Sequence, residues 1–116
     1  MAHTTASALY GNLDLLVLRV VETDGPVHGL GVIDAIETSS QGNIDVDDGA
    51  LYRCLHRLER RGLLEAEWRM SEKNRRAKFY SLTRAGEAQL VKARAEWERH
   101  TLAVGRVLGV DLEIVP

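Results

Sequence analysis

The sequence predicts a mainly α-helical fold with one small β-hairpin: a winged helix-turn-helix followed by a long C-terminal helix. Three amphipathic segments separated by short breaks occupy residues 12–61, and two alternating segments flank a polar turn between residues 64 and 82. A last segment keeps helical spacing from Arg84 to about Leu108. Short connections set the second and third helices at an angle, with the hairpin beside the third. A helical domain with an incidental hairpin is the alternative.

Capping and turn residues bound the first two helices. Asn12 is a good N-cap for a first helix that Asp24-Gly25-Pro26 ends. A second helix runs from about His28 to Ser39, and its apolar face carries Leu30, Ile33 and Ile36. Residues 44–46 alternate in polarity and favour a short strand.

The third helix spans about residues 48–61, with Asp47 as its cap and Gly62 where a left-handed C-terminal residue is wanted. One strand of the hairpin follows, and alternation predicts that its buried face carries Leu64, Ala66, Trp68 and Met70. Residues 77–82 form the second strand, whose inward face is ambiguous, and Thr83 caps the final helix. We expect residues 1–82 to be the winged domain, with 1–10 a flexible arm, and residues 83–116 to be the C-terminal dimerisation helix and tail.

The composition is typical of a small globular protein. The chain has 116 residues, of which 45% are hydrophobic and 28% charged, which is enough for one domain with a modest core. It has no run of eighteen apolar residues and no signal-peptide pattern, so we expect a cytoplasmic protein with no membrane partner. Its single cysteine, Cys54, excludes an internal disulfide.

Charge is unevenly distributed along the chain, although the net charge is only −2. Residues 1–48 hold eight acidic residues and one basic residue, whereas residues 53–84 hold ten basic and four acidic residues. A basic block within an acidic chain is typical of a protein with one surface that meets phosphates. A solvated charged face is the alternative.

Helical geometry separates two faces of the third helix. Leu51, Leu55, Leu58 and Gly62 share the buried stripe, and Cys54 lies near it as a small core residue. The opposite side carries basic groups without an acid, and Tyr52 lies at the border between the faces. Arginine can bind phosphates or the O6 and N7 atoms of guanine. The predicted DNA-binding residues of this helix are Gly49, Tyr52, Arg53, His56, Arg57 and Arg60.

The hairpin adds a second basic cluster. Its turn and second strand carry Lys73, Arg75, Arg76 and Lys78. A basic wing beside a basic helix can straddle the edge of a DNA groove, and we predict that these four residues contact double-stranded DNA. A solvated β-turn is the alternative.

The final helix carries two apolar strips. The first consists of Leu90, Ala93, Trp97, Thr101, Val104 and Leu108, which lie within about 80° of one another on a helix. The second consists of Ala88, Val91, Ala95 and Leu102. Because one helix with two apolar sides needs two partners, we predict that the first strip forms a homodimer interface. An alanine-rich surface is the alternative for one of the strips.

Several segments together resemble the PadR family of transcriptional regulators. Residues 12–18 resemble the opening helix of that family, and so do Gly25-Pro26 and His28-Gly29 after it. The strongest match combines Gly49 and Leu51-Tyr52 with residues 55–64, Leu-His-Arg-Leu-Glu-Arg-Arg-Gly-Leu-Leu. Residues 74–83, with Gly86 after them, look like the wing and the start of the last helix. The likeness covers roughly residues 11–90, and the chain looks like the compact subgroup with a single C-terminal helix.

The resemblance implies a homodimer, repression of transcription in most members and effector binding in some. Multidrug-binding relatives pair a tryptophan across their dimer, so Trp97 is a candidate to line a site for a small planar aromatic effector. A packed interface tryptophan without a pocket is the alternative. The chain departs from the family at residues 47–50, Asp-Asp-Gly-Ala, where relatives often have Ser-Pro-Gly-Ser or Ser-Pro-Gly-Thr. Arg53 also stands where proline is common, and Leu30 stands where tyrosine is usual.

Other classes of function find little support. Cys54 and His56 are two residues apart on a helix, so their side chains diverge, and the four histidines show no metal-ligand spacing. The G-x-G at residues 29–31 lacks a preceding strand and the further glycine or lysine of a phosphate loop. We therefore predict a non-enzymatic regulator without metal or cofactor. A winged-helix module that binds proteins rather than DNA is the remaining alternative.

Overall fold

The computed structural model describes residues 12–110, and these form four helices and a three-stranded sheet. The predicted order of three helices, a hairpin and a long helix is confirmed. The predicted N-terminal arm, residues 1–10, and the tail beyond residue 110 lie outside the described residues.

The three short helices have the predicted limits to within two residues. They are α1 (Leu13–Asp24), α2 (Gly29–Ser39) and α3 (Asp48–Arg60). His28 caps α2 by accepting the Gly31 N–H on Nδ1. Asn12 does not cap α1 through its side chain, because its backbone is already helical. Gly62 adopts the predicted left-handed conformation after α3, with φ of 75°.

The sheet contains one strand more than the sequence predicts. β1 (Val27–His28) pairs antiparallel with β3 (Arg76–Leu82), and β3 pairs on its other side with β2 (Leu64–Met70). A two-residue strand carries no alternation signal, so the sequence cannot show it. The predicted strand at residues 44–46 is wrong: Ile44 makes an isolated bridge, and the segment leads directly into the Asp47 cap of α3.

The core lies between α1, α2, α3 and one face of the sheet. The predicted stripe residues of α3, Leu51, Leu55 and Leu58, are fully buried, while Gly62 is exposed. Tyr80 resolves the ambiguity of β3, because it points inward. Further core side chains come from every element except β1, among them Val17, Val21, Val32, Ile36, Cys54, Leu64 and Leu90.

Three apolar residues predicted to be inside lie on the surface instead. Trp68 is 57% exposed and Met70 is 56% exposed, because β2 extends past the helices that cover Leu64 and Ala66. Alternation correctly gives the face of these side chains, but it does not give the point where the cover ends. Leu30 is 53% exposed, and Val32 takes its place in the core face of α2.

The long helix α4 spans Arg84–Leu108, as predicted. Thr83 caps it by accepting the Gly86 N–H at 3.0 Å, and its own hydroxyl donates to the Gly62 carbonyl at 2.7 Å. A Cβ on Gly86 would lie 2.2 Å from the Leu63 carbonyl oxygen, so a glycine is required for this close approach. α4 packs on α1 and β3. Gly86 and Leu90 are buried in its first turns, and beyond Leu90 most residues are exposed, although Gly105 is buried.

Candidate nucleic-acid interface

The centre of the exposed face of α3 is cationic. Arg53, His56 and Arg60 are exposed there, on the side opposite to the buried leucines. Within residues 12–110, neither Arg53 nor Arg60 forms an ion pair with a carboxylate. These guanidinium groups are therefore available to an anionic partner.

Gly49 leaves room for Arg53 over the first turn of α3. A Cβ at Gly49 would lie 3.2 Å from Arg53 Nη1 and 3.2 Å from an oxygen of Asp47. The Asp47 carboxylate itself accepts the Ala50 N–H at 2.9 Å, which satisfies a free backbone donor at the helix N-terminus. Asp47 thus stabilises α3, although it also places negative charge beside the cationic centre.

On the side nearest α1, a carboxylate pairs with the arginines at the edge of this face. Asp14 of α1 accepts a hydrogen bond from Arg57 and lies 3.8 Å from Arg61 Nη1. The same carboxylate accepts the Cys54 thiol, with Sγ 3.1 Å from Oδ1. Burial, reinforced by this hydrogen bond to an acid, raises the pKa of the Cys54 thiol far above its usual range. Cys54 is therefore a neutral structural residue.

On the side nearest the sheet, α3 supplies the acid of an ion pair and the neighbouring strand supplies the cation. Lys78 of β3 donates from Nζ to Glu59 Oε1 of α3 at 2.8 Å, and its ammonium lies 5.7 Å from the centre of the Tyr80 ring. The hydrogen bond to Glu59 raises the pKa of Lys78. Lys78 therefore joins β3 of the wing to α3. It is half-buried and paired with a carboxylate, whereas the residues of the wing turn are exposed.

Tyr52 packs across the start of α2. A Cβ on Gly29 would lie 2.5 Å from Tyr52 Cε1, so the ring rests directly on the glycine backbone. Tyr52 nevertheless keeps 38% of its surface exposed. This contact joins the start of α2 to α3, and Tyr52 is next to Arg53 of the cationic centre in the sequence.

The wing turn presents its basic residues to solvent. Residues 71–75 connect β2 to β3, and Asn74 adopts a left-handed conformation with φ of 56°. Ser71 closes the turn by donating its N–H to the Arg75 carbonyl at 2.7 Å. Two predicted residues, Lys73 and Arg75, are exposed on it, and Arg76, the first residue of β3, is exposed beside it. The Arg76 guanidinium stacks on Trp68, 5.2 Å from the ring centre.

All ten predicted DNA-binding residues lie on α3, in the wing turn or at the start of β3. All of them except Lys78 are exposed. Two of the ten, Arg57 and Lys78, have carboxylate partners. Sequence reasoning missed both partners and the stacking role of Trp68. Asp14 is 43 residues from Arg57 and Glu59 is 19 residues from Lys78, so no local pattern joins them.

The predicted interface strip of α4 divides into two parts. Leu90 is 3% exposed within its own core, so it is not available to a partner molecule. Beyond it, Trp97 is 43% exposed, Val104 is also exposed, and Leu108 reaches 70%. Ala93 and Thr101 are half-buried, and from the second strip Val91 and Leu102 are exposed.

A match to a known family identifies the class of protein. The model of the transcriptional regulator PadR-like family matches residues 17–92, from within α1 to within α4. The chain belongs to the PadR-like family. It is thus a DNA-binding transcriptional regulator, and the resemblance predicted from the sequence is confirmed.

Solved structures similar to this PadR-like protein share its winged fold. A PadR family regulator from Eggerthella lenta DSM 2243 is 27% identical with a TM-score of 0.75, over 90% of this chain and 88% of that one. A PadR-like regulator from Bacillus cereus strain ATCC 14579 has the same TM-score at 22% identity, over 90% and 99% of the two chains. An uncharacterised protein of Lysinibacillus sphaericus is 27% identical over 88 residues, which are 75% of this chain and 79% of the relative. No helix within residues 12–110 is long and apolar enough to span a membrane.

Proposed function

We propose that this PadR-like protein is a homodimeric, sequence-specific repressor that acts in the cytoplasm without enzymatic activity. The observation that carries the proposal is the cationic centre of α3, where Arg53 and Arg60 have no carboxylate partner within residues 12–110. An exposed helix face of this kind fits the major groove, whose width admits an α-helix.

The wing extends the same surface. Lys73 and Arg75 lie on an exposed turn, and the Lys78–Glu59 pair fixes that hairpin to α3. A helix in the major groove with a basic turn on the adjacent backbone combines base contacts with phosphate contacts. In this arrangement, Arg53 and His56 read base edges, while Lys73 and Arg75 position the protein.

The distal part of α4 supports a homodimer. Trp97, Val104 and Leu108 expose apolar surface on one side of the distal part of α4. Contiguous exposed apolar surface favours association, and a two-fold axis would pair the strip with itself. Two copies of α3 about 34 Å apart would then address successive turns of one face of DNA. A dimer bound in this way represses by excluding other proteins from overlapping DNA.

A selection of genomic fragments with purified protein tests the proposal. Enrichment of a site with two-fold symmetry, and a log–log salt slope of about −0.9 per phosphate contact in titrations of that site, are the expected results. A reporter gene downstream of the site then gives the sign of regulation. If no fragment is enriched and no duplex binds in a salt-dependent way, a winged-helix module that binds proteins is the better account.

Trp97 suggests a site for a small planar aromatic effector between the two subunits. Its indole is part-exposed on the protomer, and a symmetry-related indole would supply a second flat wall. With Trp68 changed to Phe, Trp97 is the remaining fluorophore of its kind. Saturable quenching by planar aromatic compounds that disappears in Trp97→Ala supports the site. Flat titrations leave Trp97 as a packing residue of the interface.

A further inference from the structure

Asp14 on α1 contacts three groups of α3, although it lies outside the proposed DNA-binding surface. It pairs with Arg57, approaches Arg61 at 3.8 Å and accepts the Cys54 thiol at 3.1 Å. Arg57 and Arg61 are one helical turn apart, so both point to the same edge of α3. One carboxylate thus serves two of the basic side chains on the helix proposed to enter DNA.

This ion pair is accessible to solvent. The side chains of Arg57 and Asp14 keep 46% and 36% of their surface exposed, and Arg61 keeps 49%. An ion pair at such an exposure contributes little to stability and is screened by salt. The carboxylate therefore competes with any other anion that approaches the two guanidinium groups, rather than fixing them permanently.

We propose that Asp14 is an internal competitor for DNA phosphates that limits the sequence-independent affinity of α3. The inference rests on the proposed binding of DNA through this helix. While Asp14 is ionised, Arg57 and Arg61 neutralise it, and the charge offered to DNA comes from Arg53, His56 and Arg60. Because phosphate contacts carry no sequence information, the competition lowers affinity for all duplexes alike.

The Asp14→Asn variant removes the charge and keeps the local packing. An asparagine carbonyl oxygen still accepts the hydrogen of the buried Cys54 thiol, so the core loses no hydrogen bond. Two matched variants control for other effects. Asp34→Asn makes the same change of charge at an exposed site on α2, and Glu22→Gln releases Arg19 on α1 from its 2.7 Å ion pair.

Fluorescence anisotropy of the full-length protein with an unrelated 30-base-pair duplex, over a series of salt concentrations, measures the effect. We expect Asp14→Asn to bind more tightly at low salt and to steepen the log–log slope by about 0.9 for each arginine that gains a phosphate. Between 50 and 200 mM salt, each such contact adds about a 3.5-fold loss of affinity. The two control variants keep the wild-type slope, and circular dichroism and the urea midpoint verify that all variants fold.

Adding Arg57→Ala gives a second and independent test. We expect this change to weaken binding more in the Asp14→Asn background than in the wild type. In that background, residue 14 has no carboxylate to compete with DNA phosphates for the Arg57 guanidinium. An Asp14→Asn slope equal to that of Asp34→Asn overturns the inference, and so does weaker binding, which would make Asp14 a residue that positions Arg57 for DNA. If the wild-type protein binds no duplex at any salt concentration, the proposed function itself fails.

Discussion

The centre of α3 and the distal part of α4 are both exposed, but they differ in chemistry. The first presents Arg53, His56 and Arg60 to solvent, and the second presents Trp97, Val104 and Leu108. Salt weakens attraction between exposed charges, whereas it does not weaken the burial of apolar surface. Ionic strength therefore separates the two proposed functions of these regions. DNA binding should fall as salt rises, and self-association should persist.

The largest expected effect comes from a charge on the apolar region. We expect Val104→Glu to weaken the homodimer at least a hundredfold, because burying an unpaired carboxylate costs several kcal/mol. Sedimentation at micromolar concentration measures the shift from dimer to monomer. Ala103→Glu is the matched control, since it adds the same charge to the polar side that carries Lys92, Glu96 and Arg99. A stable wild-type monomer, or equal behaviour of the two variants, contradicts the proposed interface.

The next effect distinguishes the centre of α3 from its edge. If Arg53 reads a guanine, Arg53→Ala should cost roughly 1–3 kcal/mol of binding and relax the preference at one base pair. Arg57→Ala should change affinity less, because Asp14 already pairs with this side chain. Competition binding against a set of single-base operator variants measures both. Equal losses in the two variants would mean that the carboxylate does not separate edge from centre.

The wing should give a smaller and more uniform effect. Replacing Arg75 and Arg76 with alanine removes two exposed charges without touching the Lys78–Glu59 pair. We expect weaker binding to every sequence and a salt slope shallower by up to about 1.8. Glu72→Gln is the control variant, because it changes the charge of the same turn but keeps all of its basic residues. An unchanged affinity in the double variant removes the wing from the proposed surface.

The smallest expected effect concerns the thiol of Cys54, which is buried in α3. Burial raises its pKa, so the folded state favours the protonated thiol, whereas an unfolded thiol ionises near pH 9. The stabilisation is complete below pH 9 and is lost above it, by at most about 1.4 kcal/mol per pH unit. Urea unfolding at pH 8 and pH 10 should show a larger decline for the wild type than for Cys54→Ala. Parallel declines would show that other groups govern alkaline stability.

Local sequence signals predicted the helices well. The spacing of Leu51, Leu55 and Leu58 fixes the buried side of α3, and Asp47 and Gly62 mark its ends. Thr83 marks the start of α4 in the same way. Each of these signals acts within a few residues, so the sequence alone contains the required information.

Features that depend on distant contacts were not predictable in this way. Nothing near Trp68 shows that the cover over β2 ends before it, and the pairing of Val27 with Tyr80 joins residues far apart in the chain. The candidate site follows the same division. Its basic residues are visible in the sequence, but the partners of Arg57 and Lys78 come from other elements.

The tight contact of Gly86 with Leu63 fixes the first turns of α4, so a small tilt there produces a large displacement at the far end of the helix. The helix is held at its first turns, where a single added carbon on Gly86 would meet the Leu63 carbonyl oxygen at 2.2 Å, and it continues without a break to Leu108. From Leu90 to Leu108 it extends about 27 Å, so a tilt of about 10° at the clamped end moves Leu108 by about 5 Å. In the proposed homodimer, small changes in the way two copies of α4 cross would therefore become large changes in the spacing of the two winged domains.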